Sequence, residues 1–217
     1  MVGSAKRSLP KKSTLGLFFK YRHPLDLDEA ISLHREALLL RPASHPNRSA
    51  SLNNLASSLR TRFEKRGAAI DLDEAISLHR QALILRPAPH PDRSGSLNNL
   101  ANALETRFEQ QGASLNDLDE AISFRREALL LRPAHHPLYS SLLKYLAIAL
   151  RIRFDQSHLL HDLTEAISLY ERLLDCPAQD PNRSWSLEHL PAALRERHAL
   201  IGDHRGIVEG TNAEGQL

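Results

Sequence analysis

The chain of 217 residues contains one cysteine, one methionine and one tryptophan, and aromatic residues make up only 5% of it. A lone Cys176 rules out an internal disulfide framework and suits a reduced compartment, so the expected location is cytoplasmic. Apolar runs such as Ala37 to Leu40 are far shorter than the roughly 20 residues needed to cross a bilayer. The amino terminus lacks the charged start, apolar core and small-residue cleavage site of a secretory signal. Also missing are a glycine-rich phosphate loop, a GxSxG elbow, an HExxH helix, a paired CxxC and paired catalytic carboxylates. The sequence therefore offers no motif for phosphoryl transfer, acyl transfer or metal-assisted hydrolysis, and we expect no enzyme and no cofactor.

What is present is repetition. DLDEAISLHREALLL at 26–40 returns as DLDEAISLHRQALIL at 71–85, DLDEAISFRREALLL at 117–131 and DLTEAISLYERLLDC at 162–176. The period of 45 or 46 residues marks a supersecondary unit that cannot bury its own apolar face and must stack on its neighbours. With 41% hydrophobic and 25% charged residues, the composition is that of a chain that folds. Lys6, Arg7, Lys11, Lys12, Lys20 and Arg22 place six positive charges and no acid in residues 1–25, which leaves 22 basic against 26 acidic groups, or −4, in the remaining 192. A net-acidic body lacks the clustered Lys and Arg that bind phosphate backbones, so no specific nucleic-acid partner and no membrane partner are expected. The basic leader reads as a solvated terminus ahead of a mitochondrial presequence or a nucleic-acid-touching tail.

Each DLDEAI segment opens with an Asp three residues ahead of a Glu: Asp26 and Glu29, Asp71 and Glu74, Asp117 and Glu120, Asp162 and Glu165. This spacing predicts a capping box, with the Asp at the helix start. Pro42, Pro87, Pro133 and Pro177 stop these helices after about 15 residues. A second element follows in every unit: SLNNLASSLRTRF at 51–63, SLNNLANALETRF at 96–108, LLKYLAIALRIRF at 142–154 and SLEHLPAALRERH at 186–198. Leu52, Leu55, Ala56, Leu59 and Phe63 form one stripe at helical spacing. The DLDEAI helix is apolar over a wider arc, as a helix touching two neighbours must be. Gly67 and Gly112 mark one set of turns, and paired prolines in RPASHPNRS and its counterparts mark the other.

The pattern predicts an all-α, antiparallel helix-pair solenoid of about eight helices over residues 23–199. A basic, flexible leader with a degenerate partial helix occupies 1–22, and a flexible glycine-rich tail occupies 200–217. Pro191, at the place of Ala56, predicts a kink or early break in the last LNNLA helix. With nothing following to cover it, the face of Leu187, Leu190 and Leu194 is expected to stay partly exposed. Either the chain is a fragment, or another chain covers that end, end-to-end self-association through the terminal repeats included.

These units resemble the tetratricopeptide (TPR) repeat. The large, large, small, large pattern of the first helix is met by Leu52, Leu55, Ala56 and Leu59, and again by Leu97, Leu100, Ala101 and Leu104. The small, bulky, small pattern of the second helix and its closing proline are met by Ala30, His34, Ala37 and Pro42, and by Ala75, His79, Ala82 and Pro87. The departure is length, about 34 residues in the family against 45 here. A period near 45 also suits HEAT repeats, but the small residues and Pro42 favour TPR. The wording resembles the longer TPR units of kinesin light chains. It is also similar to arrays in large fungal proteins that can accompany a CHAT peptidase domain or a nucleotide-binding switch domain.

The resemblance implies a non-catalytic scaffold that binds a peptide or helix of a partner protein in a concave groove. The alternative is a spacer or sensing arm of a larger multidomain CHAT-peptidase or nucleotide-binding switch protein. By the same resemblance the groove is lined by Asn53, Ser57 and Arg60, then Asn98, Asn102 and Glu105, then Lys144 and Arg151, then Glu188 and Arg195. Asn53 and Asn98 can clamp an extended backbone; alternatively, stacked asparagines bond one another across units. Arg62, Arg107, Arg153 and Arg197 recur and read as a salt-bridge ladder rather than ligand capture. Ser32, Ser77, Ser123 and Ser168 read as small residues at a close helix crossing ahead of phosphorylation sites. Among twelve histidines, His45, His90 and His136 precede prolines in equivalent links, too far apart to converge on a metal. Cys176 reads as a small buried hydrophobe rather than a nucleophile paired with His161.

Overall fold

The structure is a computed structural model that describes residues 24–112 and 114–214. The leader placed at 1–22 lies outside the described residues. The elements are α1 (Pro24–Leu39), α2 (Arg48–Arg66), α3 (Ala69–Ile84), α4 (Arg93–Gln111), α5 (Leu115–Leu130), α6 (Tyr139–Ser157), α7 (Leu160–Leu174) and α8 (Pro181–Glu214), with no strand among the described residues. The DLDEAI segments form the odd helices and the LNNLA segments the even ones.

Each helix packs on its neighbours in sequence, and α2·α3, α4·α5 and α6·α7 are the tightest pairs, each joined by a short turn. Among the even helices, α2 also meets α4 and α6 meets α8, whereas no two odd helices approach so closely. The even helices therefore form the inner, concave layer and the odd ones the outer layer. The apolar core threads through them in three overlapping clusters. One joins Ile31 of α1, Leu52, Leu55 and Leu59 of α2 and Leu78 and Ala82 of α3. The next joins Phe63 of α2, Leu72 and Ile76 of α3 and Leu100 and Leu104 of α4. The third runs from Leu97 of α4 to Ala193 of α8. Every cluster draws on at least three helices, so no hairpin completes its core alone.

Turn chemistry follows the glycines. Gly67 (φ 73°) and Gly112 (φ 57°) end α2 and α4 in the left-handed conformation, where a side chain is strained. In the third unit His158 takes the same conformation at φ 54°. Both Gly67 and His158 return a backbone N–H to the carbonyl four residues back, at 2.7 Å. In the other links, His45, His90 and His136 each accept, at Nδ1, the backbone N–H two residues ahead at 3.1 Å. Asp180 does the same in the last link with its carboxylate, at 2.8 Å. This side-chain-to-backbone turn explains the repeated histidines.

Four expectations are corrected. The aspartates are not caps: α3, α5 and α7 begin two residues before Asp71, Asp117 and Asp162, so each Asp is the third helical residue. Ser114 caps α5 with its side chain, accepting from the Asn116 N–H, and Asp180 caps α8, accepting from the Asn182 N–H. The helix does not end at Pro191; α8 continues to Glu214, through residues assigned to a tail. Ser32, Ser77, Ser123 and Ser168 sit at no close crossing but are exposed on the outer helices. Cys176 is half-buried rather than buried. Burial first, then Asp180 and Asp175, raise its thiol above the ordinary range, and no contact among the described residues joins it to His161.

Candidate functional site on the inner helices

The recurrent arginines form a clip that ties three helices at once. Arg62 of α2 grips Asp71 of α3 with two parallel bonds of 2.7 Å and reaches Asp28 of α1 at 2.9 Å. Arg107 of α4 does the same to Asp117 at 2.7 and 2.6 Å and to Asp73 at 3.3 Å. Arg153 of α6 binds Asp162 at 2.8 and 2.6 Å and Asp119 at 2.7 Å. Asp71, Asp117 and Asp162 are all buried, and the two-pronged fit suits the planar guanidinium. The facing carboxylates push Arg62 and Arg153 further above the ordinary arginine range, so the cations stay charged. On the outer layer, Arg35–Glu74, Arg80–Glu120 and Arg126–Glu165 form rungs between successive odd helices. Arg62, Arg107 and Arg153 thus form the ladder that the sequence predicts, whereas Arg197 meets no carboxylate among the described residues.

Beneath the concave face lie polar networks built on the bulky position of α3 and of α5. In the first unit His79 is fully buried, and its Nδ1 stands 2.8 Å from Asn53 Oδ1. Asn53 donates its Nδ2 to Ser96 Oγ at 2.9 Å, and Arg86 donates to Ser96 at 2.8 Å and Ser49 at 3.1 Å. Burial, then the neighbouring Arg60 charge, lower the His79 pKa to about 4, so the ring is neutral. In the next unit Arg125 takes that position and is almost wholly buried. It binds both Glu105 oxygens at 2.5 Å, Asn98 at 3.0 Å and Asn102 at 2.9 Å. In the third unit Tyr170 occupies it and packs edge-on against Trp185 at 5.4 Å.

A tetratricopeptide repeat family model matches residues 48–92 and 94–138. These two units match the tetratricopeptide repeat in sequence. The same helix pair recurs as α6 with α7. Two solved structures share the fold. One is the crystal structure of Podosopora anserina putative kinesin light chain nearly identical TPR-like repeats, 19% identical, covering 88% of this chain and 89% of that chain at a TM-score of 0.60. The other is a substituted form of the same repeats, 20% identical, covering 87% and 89% with the same TM-score. No curated protein matches the chain at a comparable level.

Against the TPR frame, the expected groove residues divide in two. Asn53 is corrected: at 6% exposure, with both ends of its amide engaged, it ties α2 to α3 and α4 and offers nothing to a ligand. Asn98, Asn102 and Glu105 are half-buried and turn their oxygens to Arg125. Ser57 is half-buried, and Arg60 bonds Glu64 one turn along its own helix. In the later units the row opens. Lys144 stands 5.0 Å from the centre of the Trp185 ring, and His189 stacks on that same ring at 4.4 Å. Tyr145 is 43% exposed with the buried Arg125 guanidinium 5.1 Å beneath it. Glu188 and Arg195 are exposed on α8, and Arg151 pairs with Glu196 of α8 and with Asp155. Tyr145, Trp185 and His189 were missed because they replace polar residues of earlier units or lie outside the repeating stripe. Their signal was the loss of the NN pair in the third unit.

Among the described residues no group of three or more His, Cys, Asp or Glu is placed to hold a metal, and no helix is long and apolar enough to cross a membrane.

Proposed function

We propose that this chain is a non-catalytic scaffold that holds a peptide or short helix of a partner protein along the concave row of its last two units. TPR folds are in general protein-protein interaction scaffolds. The finer reading rests on one observation. The polar groups of the first two units are spent on the buried His79 and Arg125 networks, whereas Tyr145, Lys144, Trp185 and His189 form an aromatic and cationic strip in reach of solvent. Such a strip suits a partner segment carrying an apolar side chain flanked by carboxylates, because the aromatic faces supply area and Lys144 the counter-charge. Lys144→Glu and Tyr145→Ala chains, checked for an unchanged helical spectrum, are to be compared with the native chain in affinity capture from native extract. Partners retained by a Ser168→Glu control and lost from both variants support the strip. Partners captured equally by all four chains would reject it.

A further inference from the structure

Every inner helix except the last is covered by the outer helix that follows it. Leu52, Leu97 and Leu143 are buried in clusters shared with α3, α5 and α7. Leu187 holds their place on α8 and is 55% exposed. Leu190 and Leu194 are half-buried, touching the core from one side, and Ile201 is exposed two turns further on. The described part of α8 thus presents an apolar strip, Leu187, Leu190, Leu194 and Ile201, on the side where α2, α4 and α6 each receive a helix.

The charges flanking this strip differ from those of the earlier units, and they state what fits. Arg62, Arg107 and Arg153 each hold a carboxylate in the first turn of the next outer helix; Arg197, their counterpart, meets no carboxylate among the described residues. The outer rungs run from Arg35, Arg80 and Arg126 to a glutamate of the next outer helix. On α7 that arginine is replaced by Glu171, which is exposed and has no partner among the described residues.

We infer that this end face receives an amphipathic helix of a partner protein, with a carboxylate in its first turn for Arg197 and a lysine or arginine three residues later for Glu171. A second copy of this chain fits worse. Each of its own outer helices carries a glutamate at that place, Glu29, Glu74, Glu120 or Glu165, and would set carboxylate against carboxylate. The reversed charge at Glu171 selects against the array's own helices and for a foreign one. This site is separate from the concave strip, and its failure leaves that strip untouched.

The test uses the full chain and two fluorescein-labelled peptides with the sequence of α7, Leu160–Leu174, one unchanged and one with Glu165→Lys. Fluorescence anisotropy at low salt is expected to show the Lys peptide binding roughly five-fold more tightly, the span of an exposed ion pair. Glu171→Arg in the protein is expected to invert that order, and Leu187→Asp to abolish binding of both peptides. Binding of neither peptide, an order unmoved by Glu171→Arg, or binding that survives Leu187→Asp would overturn the proposal. So would sedimentation of the chain as a dimer that Leu187→Asp dissociates, since a second copy would then occupy the face.

Discussion

Arg153→Met isolates the clip that joins α5, α6 and α7. Arg153 makes two short bonds to the fully buried Asp162 and a third to Asp119, whose side chain is 54% exposed. The exposed arm contributes at most about 0.5 kcal/mol after screening and side-chain ordering. The buried arm is different, because removing the cation leaves an ionised carboxylate without its counter-charge in the core. That costs about 3 kcal/mol, the lower end of the range for broken buried pairs, since water reaches the partly exposed Arg153 side. A urea dependence of about 2 kcal/mol per molar for a small protein converts this to a midpoint shift of about 1.5 M. The chain's one tryptophan, Trp185, sits on α8 and reports the last unit, while far-ultraviolet dichroism reports all helices. In a stack coupled only between neighbours, weakening one junction releases the end first. Trp185 fluorescence is therefore expected to unfold ahead of the dichroism in Arg153→Met, Asp119→Asn to move neither signal appreciably, and Arg153→Met with Asp162→Asn to recover much of the loss. Equal, small shifts for Arg153→Met and Asp119→Asn would refute the reasoning.

His79 ties stability to pH. Its folded pKa, about 4, lies below the unfolded value near 6.5, so its contribution is complete above pH 6.5 and is lost as pH falls towards 4. Between pH 7 and 5, before the carboxylates titrate, the native chain is expected to lose about 2 kcal/mol that His79→Gln does not lose, measured by urea melts at each pH. His158→Gly relieves a left-handed side chain and is expected to raise stability by about 0.5–1 kcal/mol, read as a higher melting temperature. Leu143→Ala opens a cavity in the buried stripe and is expected to cost about 3 kcal/mol, whereas Leu187→Ala, on the uncovered face, costs less than about 0.5 kcal/mol in the same melts.

The helix pairs were legible because a period-spaced sequence states its register four times, and Leu52, Ala56 and Leu59 repeat where the packing needs them. The helix starts were misplaced because an Asp three residues before a Glu has the same spacing whether the Asp caps or sits inside the first turn. What decides is Arg62, nine residues away from Asp71 and on another helix. The resemblance to TPR units is what places Asn53 in the groove. Its partners His79 and Ser96 lie 26 and 43 residues away, and only their convergence shows both ends of the amide to be spent. Burial of Arg125 was hidden for the same reason, since an arginine where other units carry His or Tyr reads as solvated until Asn98, Asn102 and Glu105 surround it. The recurrent serines show the converse: repetition marks equivalence of position, not burial.

The most direct measurement of the docking claim is selection of peptides on the full chain from a random library, followed by hydrogen-exchange mapping and binding to Tyr145→Ala and Lys144→Glu. The account predicts protection on the inner faces of α6 and α8 around Trp185, recurrent apolar residues flanked by acids among the peptides, and loss of binding in both variants. Peptides that protect the outer helices, or that bind both variants as well as the native chain, would contradict it.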